Sequence, residues 1–125
     1  MNTKSKIVLA VVAGAVLGAA AVQGLHAQAK PKAYLVTESE VLDAAALASY
    51  TAAISAVQKA AGGRSFGTRG KIVASVGEAP KRVGISEWDS LEQVQAYLNS
   101  EARKKIVLGG KVVKITRQYI VEAGN

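Results

Sequence analysis

Four charged residues stand inside segments that are otherwise rich in β-branched and apolar residues: Glu38, Arg69, Glu87 and Arg117. An arginine there can hold an anion through its guanidinium fork. A carboxylate there can take a proton as a general base. In such a site Arg69 or Arg117 would hold the anion, Glu38 or Glu87 would be the base, and Tyr34, Tyr50 and Tyr97 would donate hydrogen bonds. The same charges also suit exposed strand positions, where they discourage edge-to-edge pairing. Each one alone fits that surface role; the four together point to a polar cavity under a sheet. No acid/base pair stands out by spacing, so the catalytic residues stay unassigned and a small-polar-ligand binding or structural role comes first.

Much other chemistry is excluded by residue type. The chain has no Cys, one His at position 26 and one Met at position 1. Both lie in an N-terminal segment that reads as a secretory signal peptide. Lys4 and Lys6 form a basic start, residues 7–22 are uncharged, and Ala27-Gln28-Ala29 supplies a small-residue cleavage site. The apolar run is 16 residues, short of the roughly 20 that span a bilayer. Cleavage after Ala29 is the first choice and after Ala27 the second. No twin arginine precedes the run, so the general secretory route and a periplasmic destination are expected. The exported chain would carry no His, Cys or Met. Serine–histidine and cysteine–histidine nucleophile pairs then have no base or no nucleophile, and neither a zinc site of ordinary composition nor a His-ligated haem can form. Glu38, Glu40 and Asp43 cluster without calcium-loop spacing, so no metal and no cofactor is expected.

The elements that must position these residues follow from periodicity. Residues 30–32 are a short linker and 33–125 a single domain. Residues 34–41 read as a strand. Asp43 caps a helix whose apolar face is Leu47, Tyr50, Ile54, Val57 and Ala61, and Gly62-Gly63 ends it. Residues 64–69 form a second strand that Gly67 and Gly70 interrupt, with 72–76 as an extension. A turn at 77–80 leads to a third strand over 82–88. Ser90 and Gln93 make a capping box for a helix carrying Leu91, Val94, Tyr97 and Leu98. Ser100 starts a short segment to about residue 107, and Gly109-Gly110 turns into a last strand over 111–121. That strand is read with Val113, Ile115, Tyr119 and Val121 on one side.

Strand-helix-strand repeated twice predicts an α+β, ferredoxin-like βαββαβ fold, a four-stranded antiparallel sheet with helices on one face. In that order Glu38 can meet Arg117 and Arg69 can meet Glu87. At least one pair is expected on the uncovered, barrel-facing side. A domain of 96 residues after cleavage buries only roughly 60–65% of its unfolded surface, so the uncovered face is a candidate homodimer interface. An RNA-binding sheet would need an aromatic motif in the third strand, and Arg82-Val83-Gly84-Ile85-Ser86-Glu87-Trp88 lacks it. No nucleic-acid partner is expected, and no membrane contact after cleavage. The exported chain has 14 basic and 9 acidic residues, a net +5, mostly as scattered lysines.

Several of these positions carry a family likeness. Ala33-Tyr34-Leu35-Val36, Asp43, Tyr50, Gly62-Gly63-Arg64, Thr68-Arg69-Gly70, Arg82, Glu87-Trp88, Ser90-Leu91-Glu92, Tyr97 and Asn99-Ser100-Glu101 resemble the domain-of-unknown-function 1330 family in order and spacing, over residues 33–122. The resemblance implies a dimeric α/β barrel and no particular reaction. Under it the chain is a small exported binding or structural domain. The alternative is a cofactor-independent enzyme using Arg, Glu and Tyr in the barrel pocket.

Overall fold

Along the first strand the buried residues, Ala33, Leu35 and Ser39, fall at alternate positions, with half-buried Thr37 between the last two. That alternation fixes which face of the sheet meets the helices. The computed structural model of the chain describes residues 30–67, 69–109 and 111–124. Residues 1–29, where the signal peptide and its cleavage site are expected, lie outside the described residues, as do Thr68, Gly110 and Asn125. The elements are β1 (Ala33–Val41), α1 (Leu47–Ala60), β2 (Arg64–Ser65), β3 (Arg82–Trp88), α2 (Leu91–Leu98), α3 (Glu101–Gly109) and β4 (Val113–Glu122). The sheet order is β2-β3-β1-β4. The β1–β3, β1–β4 and β2–β3 pairs are all antiparallel. This is the ferredoxin-like α+β order, with a third helix, α3, inside the second crossover.

Local chemistry sets the ends of the elements. Asp43 Oδ1 accepts from the Ala46 N–H at 3.2 Å, opening the turn before α1. Ser90 Oγ accepts from the Gln93 N–H at 3.2 Å, and Gln93 Oε1 accepts from the Asp89 N–H at 2.9 Å. The Gln93 amide also donates to the Ala61 carbonyl at 3.1 Å, tying α2 to the end of α1. Gly62 has φ of 98°, a left-handed value that a side chain would strain. At Gly63 an added Cβ would lie 2.5 Å from the Trp88 ring, so the chain there runs against the indole.

The core is small and sits between α2 and the sheet. Ala33, Leu35, Trp88, Val94 and Tyr97 are its buried apolar members, and Val57, Ala61, Leu91, Leu98 and Ile120 pack around them. Trp88 and Tyr97 rings meet at 4.7 Å between centroids. The indole N–H donates to Ser86 Oγ at 2.8 Å, which lets a tryptophan be fully buried without an orphan donor.

Two details differ from the sequence reading. First, β2 ends at Ser65 rather than at residue 69, and residues 66–67 and 69–81 run as irregular chain with only short bends. Three glycines over that stretch, Gly67, Gly70 and Gly77, weaken strand formation. Second, the β1–β4 register shifts between Glu38 and Ser39, which pair with Arg117 and Ile115 respectively. Thr116 is therefore the extra residue of a β-bulge. The bulge reverses alternation, so Val113 and Ile115 turn to the helix side while Arg117, Tyr119 and Val121 share the open face. The expectation that Val113, Ile115, Tyr119 and Val121 share one side is corrected accordingly. No described helix is long and apolar enough to cross a membrane.

Candidate functional site

On the helix-facing side the first strand changes character halfway: Ala33 and Leu35 belong to the core, and Thr37 and Ser39 follow on the same face. The neighbouring strands do the same. Trp88 gives way to Ser86, Gly84 and Arg82 along β3, and Ile120 gives way to Gln118 along β4. Where the face becomes polar the packing opens into a cavity of about 580 Å³ between the sheet, α1 and α3. Tyr50, Thr51 and Ile54 of α1 form one wall, with Tyr97 of α2 at the core end. Arg103 and Val107 of α3 close another side. Phe66, Gly67, Arg69, Gly70 and Ile72 line the side where the early end of β2 leaves the β3 edge uncovered.

Two guanidinium groups reach this space. Arg82 donates to Ser39 Oγ at 3.3 Å and to Thr51 Oγ1 at 3.4 Å. Arg103 donates to the Leu98 carbonyl and to Gln118 Oε1, both at 3.5 Å, and lies 5.7 Å from the centre of the Tyr97 ring. Gln118 in turn donates to Thr37 Oγ1 at 2.9 Å. Burial pushes the Tyr50 phenol above its ordinary pKa, with the charges of Arg103 and Arg82 pulling the other way. Burial also raises Tyr97 against the pull of Arg103. Both phenols are therefore neutral O–H groups at physiological pH, fitted to donate or accept a hydrogen bond. The cavity is lined by Arg69, Lys81, Arg82 and Arg103, and among the described residues no Asp or Glu lines it.

The residues singled out from the sequence divide between two faces. Tyr50, Tyr97 and Arg69 line the cavity. Glu38, Glu87, Arg117 and Tyr34 lie on the open face of the sheet, at register positions that alternate with the core. Arg117 Nε is 2.9 Å from Glu38 Oε2. The expected partner of Glu87 was Arg69, but β2 stops before that residue; Arg64, directly across the ladder, takes the place at 2.8 Å. Lys32 joins at 2.8 Å from the same oxygen. Hydrogen bonds from Lys32 and Arg64 hold the Glu87 carboxyl below its ordinary pKa. Arg82, Arg103, Thr37, Ser39 and Gln118 escaped the sequence reading. Their signal was present as a change from apolar to hydroxyl, amide and glycine at every second position of three neighbouring strands. Among the described residues no group of three or more His, Cys, Asp or Glu is arranged to hold a metal ion.

Fold and cavity together define a small ferredoxin-like α+β domain with a polar chamber between its sheet and helices. The chain belongs to the family described as Domain of unknown function (DUF1330), whose model matches residues 32–123. Its fold is similar to that of the RPA0582 protein of unknown function from Rhodopseudomonas palustris, at 13% identity and a TM-score of 0.55, covering 75% of this chain and 82% of that one. The methylated form of the RPA0582 protein gives 13% identity and a TM-score of 0.56, with 77% and 82% covered. At that identity the likeness is one of fold. No curated protein matches the chain.

Proposed function

We propose that this chain is an exported, homodimeric domain that binds a small polar molecule in the cavity between its sheet and helices. The observation that carries the reading is the cavity itself. Its volume of about 580 Å³ falls within the range of small-molecule sites, roughly 300–1,000 Å³, and hydroxyl, amide and guanidinium groups from all seven elements line it. Gly84 contributes to its floor, and a Cβ there would meet nothing within 4 Å. A side chain at that position would have filled the space.

The alternative, a cofactor-independent enzyme with Glu38 or Glu87 as base, draws less support. Both carboxylates lie on the opposite face of the sheet, each held by an arginine. The homodimer draws support from the open face, where Tyr34, Val36, Ile85, Tyr119 and Val121 adjoin in register and Tyr34 stacks on Phe66 at 6.3 Å. Export to the periplasm rests on the basic start, the 16-residue apolar run and the Ala27-Gln28-Ala29 sequence.

Native mass spectrometry of protein purified from a periplasmic extract tests the reading as a whole. The expected species is a dimer of chains beginning at Lys30 that releases a small molecule on denaturation. Gly84→Phe should give the same dimer without the small molecule, because the ring occupies the cavity floor without striking the backbone. Retention of the same molecule by Gly84→Phe would place its site elsewhere, and a chain with Met1 intact would overturn the export.

A further inference from the structure

Four arginines of known surroundings divide this molecule into two kinds, and the contrast says what the cavity is built to take. On the open face Arg64 and Arg117 reach carboxylate oxygens at 2.8 to 3.0 Å. Those are the distances of well-formed charge-assisted hydrogen bonds. In the cavity Arg82 and Arg103 are part-buried, and their hydrogen bonds to Ser39, Thr51, Leu98 and Gln118 run from 3.3 to 3.5 Å, all to neutral hydroxyl, amide or carbonyl oxygens. N–H···O bonds are ordinarily 2.7–3.2 Å, so these four are long; Arg103 also hydrogen-bonds the Tyr97 phenol, and every one of these partners is neutral, so neither guanidinium is matched here by a carboxylate. They come from different elements, β3 and α3, and both bear on the same phenol, Tyr50.

We infer that the ligand of this cavity is a small organic carboxylate, its anionic end held by Arg82 and Arg103 and its apolar body lying against Ile54, Val107 and Ile115. The inference rests on the binding reading above and adds the charge and shape of the ligand. A carboxylate supplies what the two guanidinium groups lack, oxygen acceptors that pair with the planar fork. Arg69 and Lys81 line the same space; Lys81 also lies 3.6 Å from Glu40, but no Asp or Glu lines the cavity among the described residues, so the field inside it favours an anion entering. Removing two cations from water without a counter-charge is costly; a bound anion offsets that cost. The apolar wall selects an organic anion over an inorganic one: Ile54 from α1, Val107 from α3 and Ile115, turned inward by the bulge at Thr116, leave about half of the chamber with nothing for phosphate to bond.

Titration calorimetry with benzoate, its neutral counterpart benzamide and inorganic phosphate tests the assignment on the unaltered protein. Benzoate should bind about tenfold or more tightly than either, the ratio that a single charge-assisted hydrogen bond supplies. Arg82→Gln and Arg103→Gln should each remove most of that preference, and Arg117→Gln on the opposite face should leave it intact. The four tyrosines report where each compound sits: ring resonances of Tyr50 and Tyr97 should move with benzoate while those of Tyr34 and Tyr119 stay. Benzamide matching benzoate, with Tyr50 and Tyr97 shifted by both, would overturn the anion and leave a polar-ligand cavity. Phosphate matching benzoate would overturn the organic body. Silence of Tyr50 and Tyr97 toward all three compounds would overturn the assignment and the binding reading together.

Discussion

An arginine's role in this molecule is set by what stands opposite it. Arg64 sits between Glu87 and Asp89, and Arg117 beside Glu38, so on the open face charge is cancelled locally. Such pairs are solvent-exposed at the arginine and individually contribute little. Their pH dependence is nonetheless readable. Glu87 is held below the ordinary glutamate value, first by Lys32 and then by Arg64. Its ionised form is therefore favoured in the folded state more than in the unfolded chain. The resulting stabilisation is present above the ordinary value of about 4.3 and is lost as pH falls through the lowered folded value. Thermal melts of the parent and Glu87→Gln should differ at neutral pH, with the parent higher, and should converge on acidification. A gap that persists unchanged at the acid end would mean that the carboxylate's charge contributes nothing there.

Elements decide which side chains share a face, and here two small irregularities shape the cavity. Strict alternation would send Ile115 and Val113 outward with Arg117; the extra residue at Thr116 turns them in. The early end of β2 frees Gly67, Arg69, Gly70 and Ile72 to line the cavity. Neither was legible in the sequence. A bulge depends on how two strands accommodate each other, not on either strand's pattern. Gly67 and Gly70 marked an interruption without saying whether the strand would resume. What local pattern controls was legible: the element order, the capping of α2 by Ser90 and Gln93, and the break at Gly62-Gly63 all appear where the sequence puts them. Of the site, Tyr50, Tyr97 and Arg69 were legible, and the two arginines with the poorest partners were not, because weighing charges among apolar neighbours overlooks charges among hydroxyls. The Gly62-Gly63 break also makes a packing prediction. Gly63→Ala would set a methyl 2.5 Å from the Trp88 ring and 2.8 Å from Gln58 Cγ. Overpacking of this kind costs about 1–3 kcal/mol, and chemical denaturation should show the loss; an unchanged midpoint would mean that the Trp88 contact yields freely.

At the scale of the whole molecule, five buried apolar residues make a modest core for the described chain. The open sheet face meanwhile carries Phe66, Tyr119 and Val121, each well exposed. A small domain with such a face gains most by covering it with a second copy, which a two-fold axis permits without new chemistry. Sedimentation at micromolar protein should give about twice the monomer mass. Tyr119→Asp, which sets a charge opposite Val36 on that face, should shift the population to monomer and leave the helix-side cavity as it is. A parent protein that sediments as a monomer under the same conditions would remove the interface from the account. On the proposed reading the two faces divide the work: paired charges and apolar rings on one for a second copy, guanidinium groups bonded only to neutral oxygens on the other for a ligand. The most direct test of that division is a crystal structure of the protein grown with benzoate. The account predicts the carboxylate between Arg82 and Arg103, on the helix side of the sheet. A carboxylate bound instead at Arg64 or Arg117 on the open face would contradict it, and so would an empty cavity at saturating benzoate.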